Sequence, residues 1–294
     1  MYTFKTYHPI TNIIYFALAL GFGMFFMHPV ALAASFCGAF IYSVILNGSK
    51  AVKFNLAYML PMLIFTALLN PMFNHEGSTI LAYYPNGNPL TLESIIYGGA
   101  AAVMLGAAVC WFSCFNAVMT SDKLIYLTGR ILPSLSLIIS MSLRFVPYLK
   151  RKAVLISQAR IGMGTYPSKK RFSKLRHGIK VLSILIGSSL EESIQTADSM
   201  KCRGFGLKGR TSYSRYTFTA RDKIFLAAAI ALSSYVIAGA LNGAMYISYF
   251  PDISFKAVGV YEISVFTAYW ALCILPSLLH FGEVISWKYI QSKI

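Results

Sequence analysis

The stretch TADSMKCRGFGLKGRTSYSRY, residues Thr196–Tyr216, is basic and punctuated by glycines in a chain that is otherwise mostly apolar. Of the 294 residues, 56% are hydrophobic and only 12% are charged, and the mean hydropathy is +0.60. Apolar runs on both sides of the stretch approach the ~20 residues that a helix needs to cross a bilayer. The sequence therefore predicts an all-α polytopic membrane protein with a polar region between its spans.

Six apolar runs are candidate transmembrane helices, because a segment in lipid satisfies its backbone polar groups internally by forming a helix. The runs are Ile13–Met27, Val30–Leu46, Phe54–Phe73, Ile95–Met119, Ile224–Phe250 and Ile263–Phe281. No small-residue cleavage site follows the first run, so we expect a retained span rather than a signal peptide.

The distribution of basic residues predicts the orientation, because Lys and Arg accumulate in cytoplasmic loops. From Thr120 to Lys223 there are 20 basic and five acidic residues, which carry +15 of the formal charge of +16. The loops around His28 and from Asn74 to Glu93 contain no Lys or Arg. We therefore expect both termini and the basic region in the cytoplasm. The expected organisation is membrane helices 1–4 in residues 1–119, a cytoplasmic or interfacial region in 120–222, and membrane helices 5 and 6 in 223–294.

Two or three long amphipathic helices are expected in the basic region instead of further spans. If Ile131–Tyr148 and Ile179–Leu190 both crossed the membrane, the connector Leu149–Gly178 would lie outside with nine basic residues and violate the charge rule. Both segments also carry apolar stripes at helical spacing. The stripes continue past the ends of these segments; they contain Phe145 and Leu149 in the earlier helix, and Leu182, Ile186, Leu190 and Ile194 in the later one. A solvated connector is expected at Lys169-Lys170-Arg171.

Glycines are expected to end both of these helices. Gly162 and Gly164 follow the first periodic pattern, and Gly204 follows the second, at the position where a chain leaves a helix through positive φ. Arg203 would then project from the tip of the second helix, where it favours the negative end of the helix dipole. Its planar guanidinium can grip a carboxylate or several carbonyls of a partner.

At these residues the chain resembles a known family. The sequence ADSMKCRGFG, Ala197–Gly206, is similar to the Ala-Arg-Gly signature of the transmembrane T component of energy-coupling factor (ECF) transporters. The sequence RFVPYLKRKAVLISQARIGMG, Arg144–Gly164, resembles the family's first signature, and the loop Asn70–Gly98 resembles the family's outer loop. The first signature departs from the pattern, since Gly162-Met163-Gly164 lacks an arginine and Arg160 lies three residues early.

The resemblance implies a non-catalytic scaffold in a prokaryotic plasma membrane. Its coupling helices would dock on two ATP-binding-cassette ATPase subunits, and ATP would be bound by those partners, with no cofactor or metal bound by this chain. One membrane-embedded substrate-binding subunit would lie against the apolar faces and deliver a vitamin or metal ion. The implied ATPase-coupling residues are Arg203, Gly204, Cys202, Gly162, Met163, Gly164 and Arg160. The implied contacts with the substrate-binding subunit are Leu182, Ile186, Leu190, Ile194, Phe145 and Leu149.

Two other classes of function stay open at this point. A membrane enzyme acting on lipid or isoprenoid phosphates would use the basic region to hold phosphate, although Glu191, Glu192 and Asp198 have no histidine beside them in the expected helix. A domain that tethers nucleic acid to the membrane needs aromatic residues at base-stacking spacing, and only Tyr213 and Tyr216 qualify. We therefore expect lipid and protein partners and no nucleic acid.

Overall fold

A computed structural model describes residues 4–83, 87–164, 171–207, 216–255 and 259–292. The connector residues Lys169 and Lys170 and the aromatic Tyr213 lie outside these ranges. The chain forms two compact parts. We call Met1–Lys123 together with Tyr216–Ile294 the membrane unit, and Leu124–Arg215 the helix-pair unit.

The membrane unit is built mainly from helices. They are α1 (Pro9–Phe25), α2 (Pro29–Asn47), α3 (Ser49–Phe54), a π-helix (Asn55–Met59), α4 (Leu60–Phe73), α5 (Leu92–Val118), α9 (Ala220–Leu241) and α10 (Val260–Gln291). Three further helices of the described residues lie between α5 and α9 in the chain. Helices α1 and α2 each begin at a proline, where the missing N–H leaves no extra unsatisfied donor.

The all-α membrane fold predicted from the sequence is confirmed. Among the described helices, α2, α5, α9 and α10 are long and apolar enough to cross a membrane. Two shorter apolar helices, Pro9–Phe25 and Ala57–Phe73, lie at the first and third predicted runs. Each of the six apolar runs therefore corresponds to a helix.

The fifth predicted run, Ile224–Phe250, is too long. Helix α9 ends at Leu241 because Gly243 takes a φ of +76°, which turns the chain out of the helix. The N–H groups of Gly243 and Ala244 donate to Ala240 O and Gly239 O at 2.9 and 3.0 Å, which completes a Schellman cap. The residues after this cap are also apolar, so hydropathy alone does not mark the end of the helix.

Two short antiparallel hairpins in the described residues add to the helical fold. Strands β1 (Ile80–Tyr83) and β2 (Pro89–Thr91) pair before α5, and strands β3 (Ile247–Ser248) and β4 (Ser254–Phe255) pair between α9 and α10. The N–H of Ser78 donates to Pro251 O at 3.2 Å, so the segments that carry the two hairpins are in contact.

A cluster of aromatic residues forms the core of the membrane unit. Tyr15, Phe16 and Trp111 are at most 1% exposed, and their rings meet edge to face. The Tyr15 hydroxyl donates to Leu272 O at 3.1 Å, and Trp111 Nε1 donates to the Ser35 hydroxyl at 3.1 Å. These bonds join α1 to α10 and α5 to α2 through groups that lipid could not satisfy.

The helix-pair unit contains α7 (Pro133–Gly162) and α8 (Arg171–Cys202), preceded by α6 (Ser121–Ile131). Helices α7 and α8 are antiparallel, because Tyr148 contacts Glu192 near the end of α8, whereas Ser157, later in α7, contacts His177 near the start of α8. The less exposed residues of α8 recur every three or four positions and face α7. They include His177, Val181, Leu185, Glu192, Thr196 and Met200.

Candidate functional site

The C-terminus of α8 forms the turn predicted from its glycine. Gly204 has a φ of +77°, and its N–H donates to Lys201 O at 2.9 Å. The N–H of Phe205 donates to Met200 O at 3.0 Å. These two bonds define a Schellman motif, which satisfies carbonyls at the helix end. A side chain other than glycine would be strained at position 204, so the turn depends on this residue.

Arg203 occupies the C-cap position of this motif and is exposed, as is the preceding Cys202. Its backbone N–H is bound within the helix end, to Ser199 O and Met200 O at 3.2 and 3.1 Å. The backbone at Arg203 is therefore fixed while the guanidinium remains at the surface. This arrangement presents a cation at the negative end of the α8 dipole.

Antiparallel packing places a second arginine in the same groove as Arg203. A groove of about 630 Å³ between α7 and α8 is lined by Arg144, Phe145 and Tyr148 on one side, and by Glu192, Met200 and Arg203 on the other. Arg144 opens the first signature, Arg144–Gly164, but the sequence alone did not predict it as a site residue. The two signatures are far apart in the chain, so only the pairing of α7 and α8 shows that residues of both line one groove.

A polar cluster closes this groove on the side away from Arg203. The Glu192 carboxylate accepts hydrogen bonds from the Tyr148 hydroxyl at 2.9 Å and from Lys152 Nζ at 2.5 Å. The hydrogen bond from Lys152, followed by that from Tyr148, lowers the pKa of Glu192. The same Lys152–Glu192 bond raises the pKa of Lys152. Because Lys152 offsets the charge of Glu192, the two arginines leave the groove positive.

The pairing of α7 and α8 at this cluster should depend on pH in a defined direction. The Glu192 carboxylate stabilises the helix pair fully above its ordinary pKa of about 4.3, and this stabilisation is lost as the pH falls through its lowered pKa. The Lys152 ammonium stabilises the pair fully below about pH 10.4, and this stabilisation is lost as the pH rises through its raised pKa. We therefore expect the distance between spin labels at Arg151 and Ser193 to stay constant from about pH 5 to 9 and to broaden below about pH 4.

A matched pair of variants checks this expectation. Glu192→Gln should broaden the distance distribution at pH 7, because it removes the carboxylate that Lys152 and Tyr148 bind. The neighbouring Glu191 is exposed, so Glu191→Gln should leave the distribution unchanged. Equal broadening in both variants would show that the cluster does not hold the pair together.

The C-terminus of α7 has the same type of turn as that of α8. Gly164 has a φ of +81°, and its N–H donates to Ile161 O at 2.9 Å. Met163 precedes it at the C-cap, the position that Arg203 holds in α8, and is 75% exposed. The tip at Gly164 therefore shares the positive-φ glycine and its hydrogen bond with the tip at Gly204, and Met163 puts an apolar side chain where α8 has a cation.

Arg160 lies away from the tip surface, between the two helices. Its side chain is among the buried ones at 8% exposure, and its Nη1 donates to His177 O at 3.1 Å. Arg160 therefore joins the end of α7 to the start of α8. In this arrangement its guanidinium does not replace the arginine that is missing at Met163.

The predicted apolar stripe of α8 is present and exposed. Leu182, Ile186, Leu190 and Ile194 are 52–65% exposed, on a face distinct from the one that contacts α7. Phe145 and Leu149 of α7 are less exposed, and Phe145 lines the groove between the helices. The structure therefore gathers the four α8 residues into one outer surface and places Phe145 in another.

The fold and the site together define a class of protein: a polytopic helical membrane protein that carries an antiparallel pair of long helices with glycine-capped tips. A protein-family model described as CbiQ, cobalt transport protein, matches residues 8–213, which include the pair. The chain therefore belongs to the CbiQ family, and its resemblance to the transmembrane T component of ECF transporters is confirmed.

Two curated relatives carry the name energy-coupling factor transporter transmembrane protein EcfT. The protein of Streptococcus thermophilus is 34% identical over 100 residues, which make up 33% of this chain and 38% of the relative. The protein of Bacillus selenitireducens is 29% identical over 111 residues, which make up 37% of this chain and 41% of the relative. The matched part thus spans about two fifths of the length of these curated relatives.

Proposed function

We propose that the chain is the transmembrane scaffold of an ECF-type importer in a prokaryotic plasma membrane, with both termini and the helix-pair unit in the cytoplasm. The tips of α7 and α8 would each contact one ABC ATPase subunit. ATP hydrolysis by those partners would shift the pair and reorient a membrane-embedded substrate-binding subunit, which carries a vitamin or metal ion. The chain itself would have no catalytic step and would bind no cofactor.

The observation that carries this proposal is the placement of two similarly capped tips on antiparallel helices. Gly164 follows the part of α7 that contacts the start of α8, whereas Gly204 ends α8. The tips therefore lie at opposite ends of the pair, separated by roughly 40 Å of helix at 1.5 Å per residue. Such a separation suits two docking partners rather than one.

Charge and polarity support different roles for the surfaces of the pair. The positive groove at Arg144 and Arg203 suits an acidic segment of an ATPase, since a guanidinium binds a carboxylate through two parallel hydrogen bonds. The exposed stripe of Leu182, Ile186 and Leu190 suits an apolar helix of a membrane partner. Met163 supplies no cation at the position that Arg203 holds in α8, so the two ATPase contacts would be unequal.

Purification of the chain from its own host, followed by mass identification of bound subunits, tests the proposal. We expect two ABC ATPase copies and one membrane-embedded substrate-binding subunit. A photoreactive residue at position 163 and another at position 203 should each crosslink to an ATPase. Purification without ATPases, or crosslinks from both positions to the substrate-binding subunit alone, would contradict the assignment.

A further inference from the structure

A second groove lies within the membrane unit, between the first half of α9 and the second half of α10. Its volume is about 670 Å³. Its floor is apolar and includes Ile224, Ala228, Leu275, Leu278 and Leu279. Ile224 is 71% exposed and Leu278 is 58% exposed, so the described residues leave large apolar side chains uncovered along this groove.

Polar groups are concentrated at one end of the groove. Arg221 lies in the first turn of α9 and Glu283 lies in the second half of α10, and both line the groove. Tyr7 and Trp287 line the groove at the same end. Tyr and Trp are enriched at the interface between hydrocarbon and water, so this end fits the level of the lipid headgroups.

The combination of an apolar floor and a rim with both charges fits one kind of ligand. An acyl chain would cover the exposed leucines and Ile224 and fill the groove along its length. The guanidinium of Arg221 binds phosphate, and the carboxylate of Glu283 binds an ammonium group. A protein helix would cover the same floor but would not need a cation and an anion at the same end of the groove.

We propose that this groove binds a phospholipid with an amine-bearing zwitterionic headgroup, with its phosphate at Arg221, its ammonium at Glu283 and one acyl chain along α9 and α10. The site is separate from the helix tips and does not depend on the function proposed for them. It would fix the ends of α9 and α10 relative to the membrane surface.

Filling the groove is the sharpest test, because Gly282 lines it and a Cβ added there meets nothing within 4 Å. Gly282→Leu should therefore fold and occupy the space of the acyl chain. The control is Gly99→Leu, since Gly99 lies in α5 and also has nothing within 4 Å of an added Cβ. The full-length chain would be titrated by native mass spectrometry with phosphatidylethanolamine and phosphatidylglycerol of identical acyl chains.

We expect the wild-type chain to prefer phosphatidylethanolamine, and Gly282→Leu to reduce its binding at least fivefold while Gly99→Leu does not. Arg221→Gln should weaken binding of both lipids, whereas Lys288→Gln, which alters an exposed cation of α10, should change neither. Glu283→Gln should remove the preference for the amine-bearing lipid.

Equal binding of the two lipids by the wild-type chain would overturn the headgroup assignment. Unchanged phosphatidylethanolamine binding in Gly282→Leu would overturn the groove itself. A photoreactive residue at Ser286, which lines the groove, should crosslink to lipid in membranes. A crosslink to a protein subunit in its place would show that a partner helix occupies the groove.

Discussion

Replacement of Arg203 by alanine is expected to weaken ATPase association about tenfold or more, and to uncouple ATP hydrolysis from uptake, while the protein still inserts into the membrane. A hydrogen bond to a charged group contributes about 1.5–3 kcal/mol, and 1.4 kcal/mol corresponds to a factor of ten in affinity. The backbone of the tip should not change, because the Schellman bonds of Gly204 and Phe205 do not involve the Arg203 side chain. Binding of purified ATPases to the immobilised chain measures the effect.

Three further variants separate the role of this cation from general charge. Lys201 lies two residues before Arg203, and its side chain is 76% exposed. Its Nζ forms a surface ion pair with Asp198 at 3.8 Å, and such pairs contribute little. Lys201→Ala should therefore change the affinity for the ATPases little. Arg203→Lys keeps the charge but loses the planar fork and should give an intermediate affinity. Met163→Ala should reduce binding less than Arg203→Ala, because the Met163 side chain carries no charge. Undiminished ATPase binding and transport in Arg203→Ala would count against the proposed docking.

Gly38→Leu is expected to destabilise the membrane unit severely. A Cβ at position 38 would lie 2.8 Å from Cys273 Cβ and 3.2 Å from Cys273 O, so α2 and α10 approach each other too closely there for a larger residue. Overpacking of this kind costs about 1–3 kcal/mol, and the contact with a backbone atom leaves little room for relief. We expect the temperature of unfolding in detergent to fall by roughly 5–10 °C.

Gly21→Leu is the matched control for this effect. Gly21 also lies in an apolar helix, but a Cβ added there meets nothing within 4 Å. The temperature of unfolding should therefore stay close to that of the wild-type chain. Similar losses in both variants would mean that leucine in an apolar helix, and not the close approach of α2 and α10, causes the effect.

Local patterns in the sequence were enough to predict most of the helices and the glycine-marked ends of α7 and α8. Each apolar run became a helix, because the backbone of a lipid-facing segment has no other way to satisfy its polar groups. Gly204 adopts the positive φ predicted for it, since the end of a periodic pattern followed by glycine is a local signal. The exposed stripe at Leu182 and Ile186 likewise follows from helical spacing alone.

Features that depend on tertiary pairing could not be predicted in the same way. Arg144 shares a groove with Arg203 because α7 and α8 are antiparallel, and no local pattern fixes that direction. Phe145 lies in the groove between the helices, although its spacing alone is equally compatible with an outer surface. The end of α9 at Leu241 was missed because the Asn242-Gly243 cap is followed by further apolar residues. A search for glycine after asparagine inside the run would have found it.

The proposed docking requires the tip of α8 to lie in the cytoplasm and to meet an ATPase, and Cys202 allows both points to be measured at once. All five cysteines lie in the described residues, and only Cys37 and Cys202 are exposed there. In a Cys37→Ser variant, Cys202 is therefore the one exposed thiol that a maleimide can label. A maleimide that cannot cross membranes should label Cys202 in inside-out vesicles but not in right-side-out vesicles, and added ATPases should block the labelling. Labelling in right-side-out vesicles would contradict the cytoplasmic position of the α8 tip. Labelling that added ATPases do not reduce would contradict its contact with an ATPase.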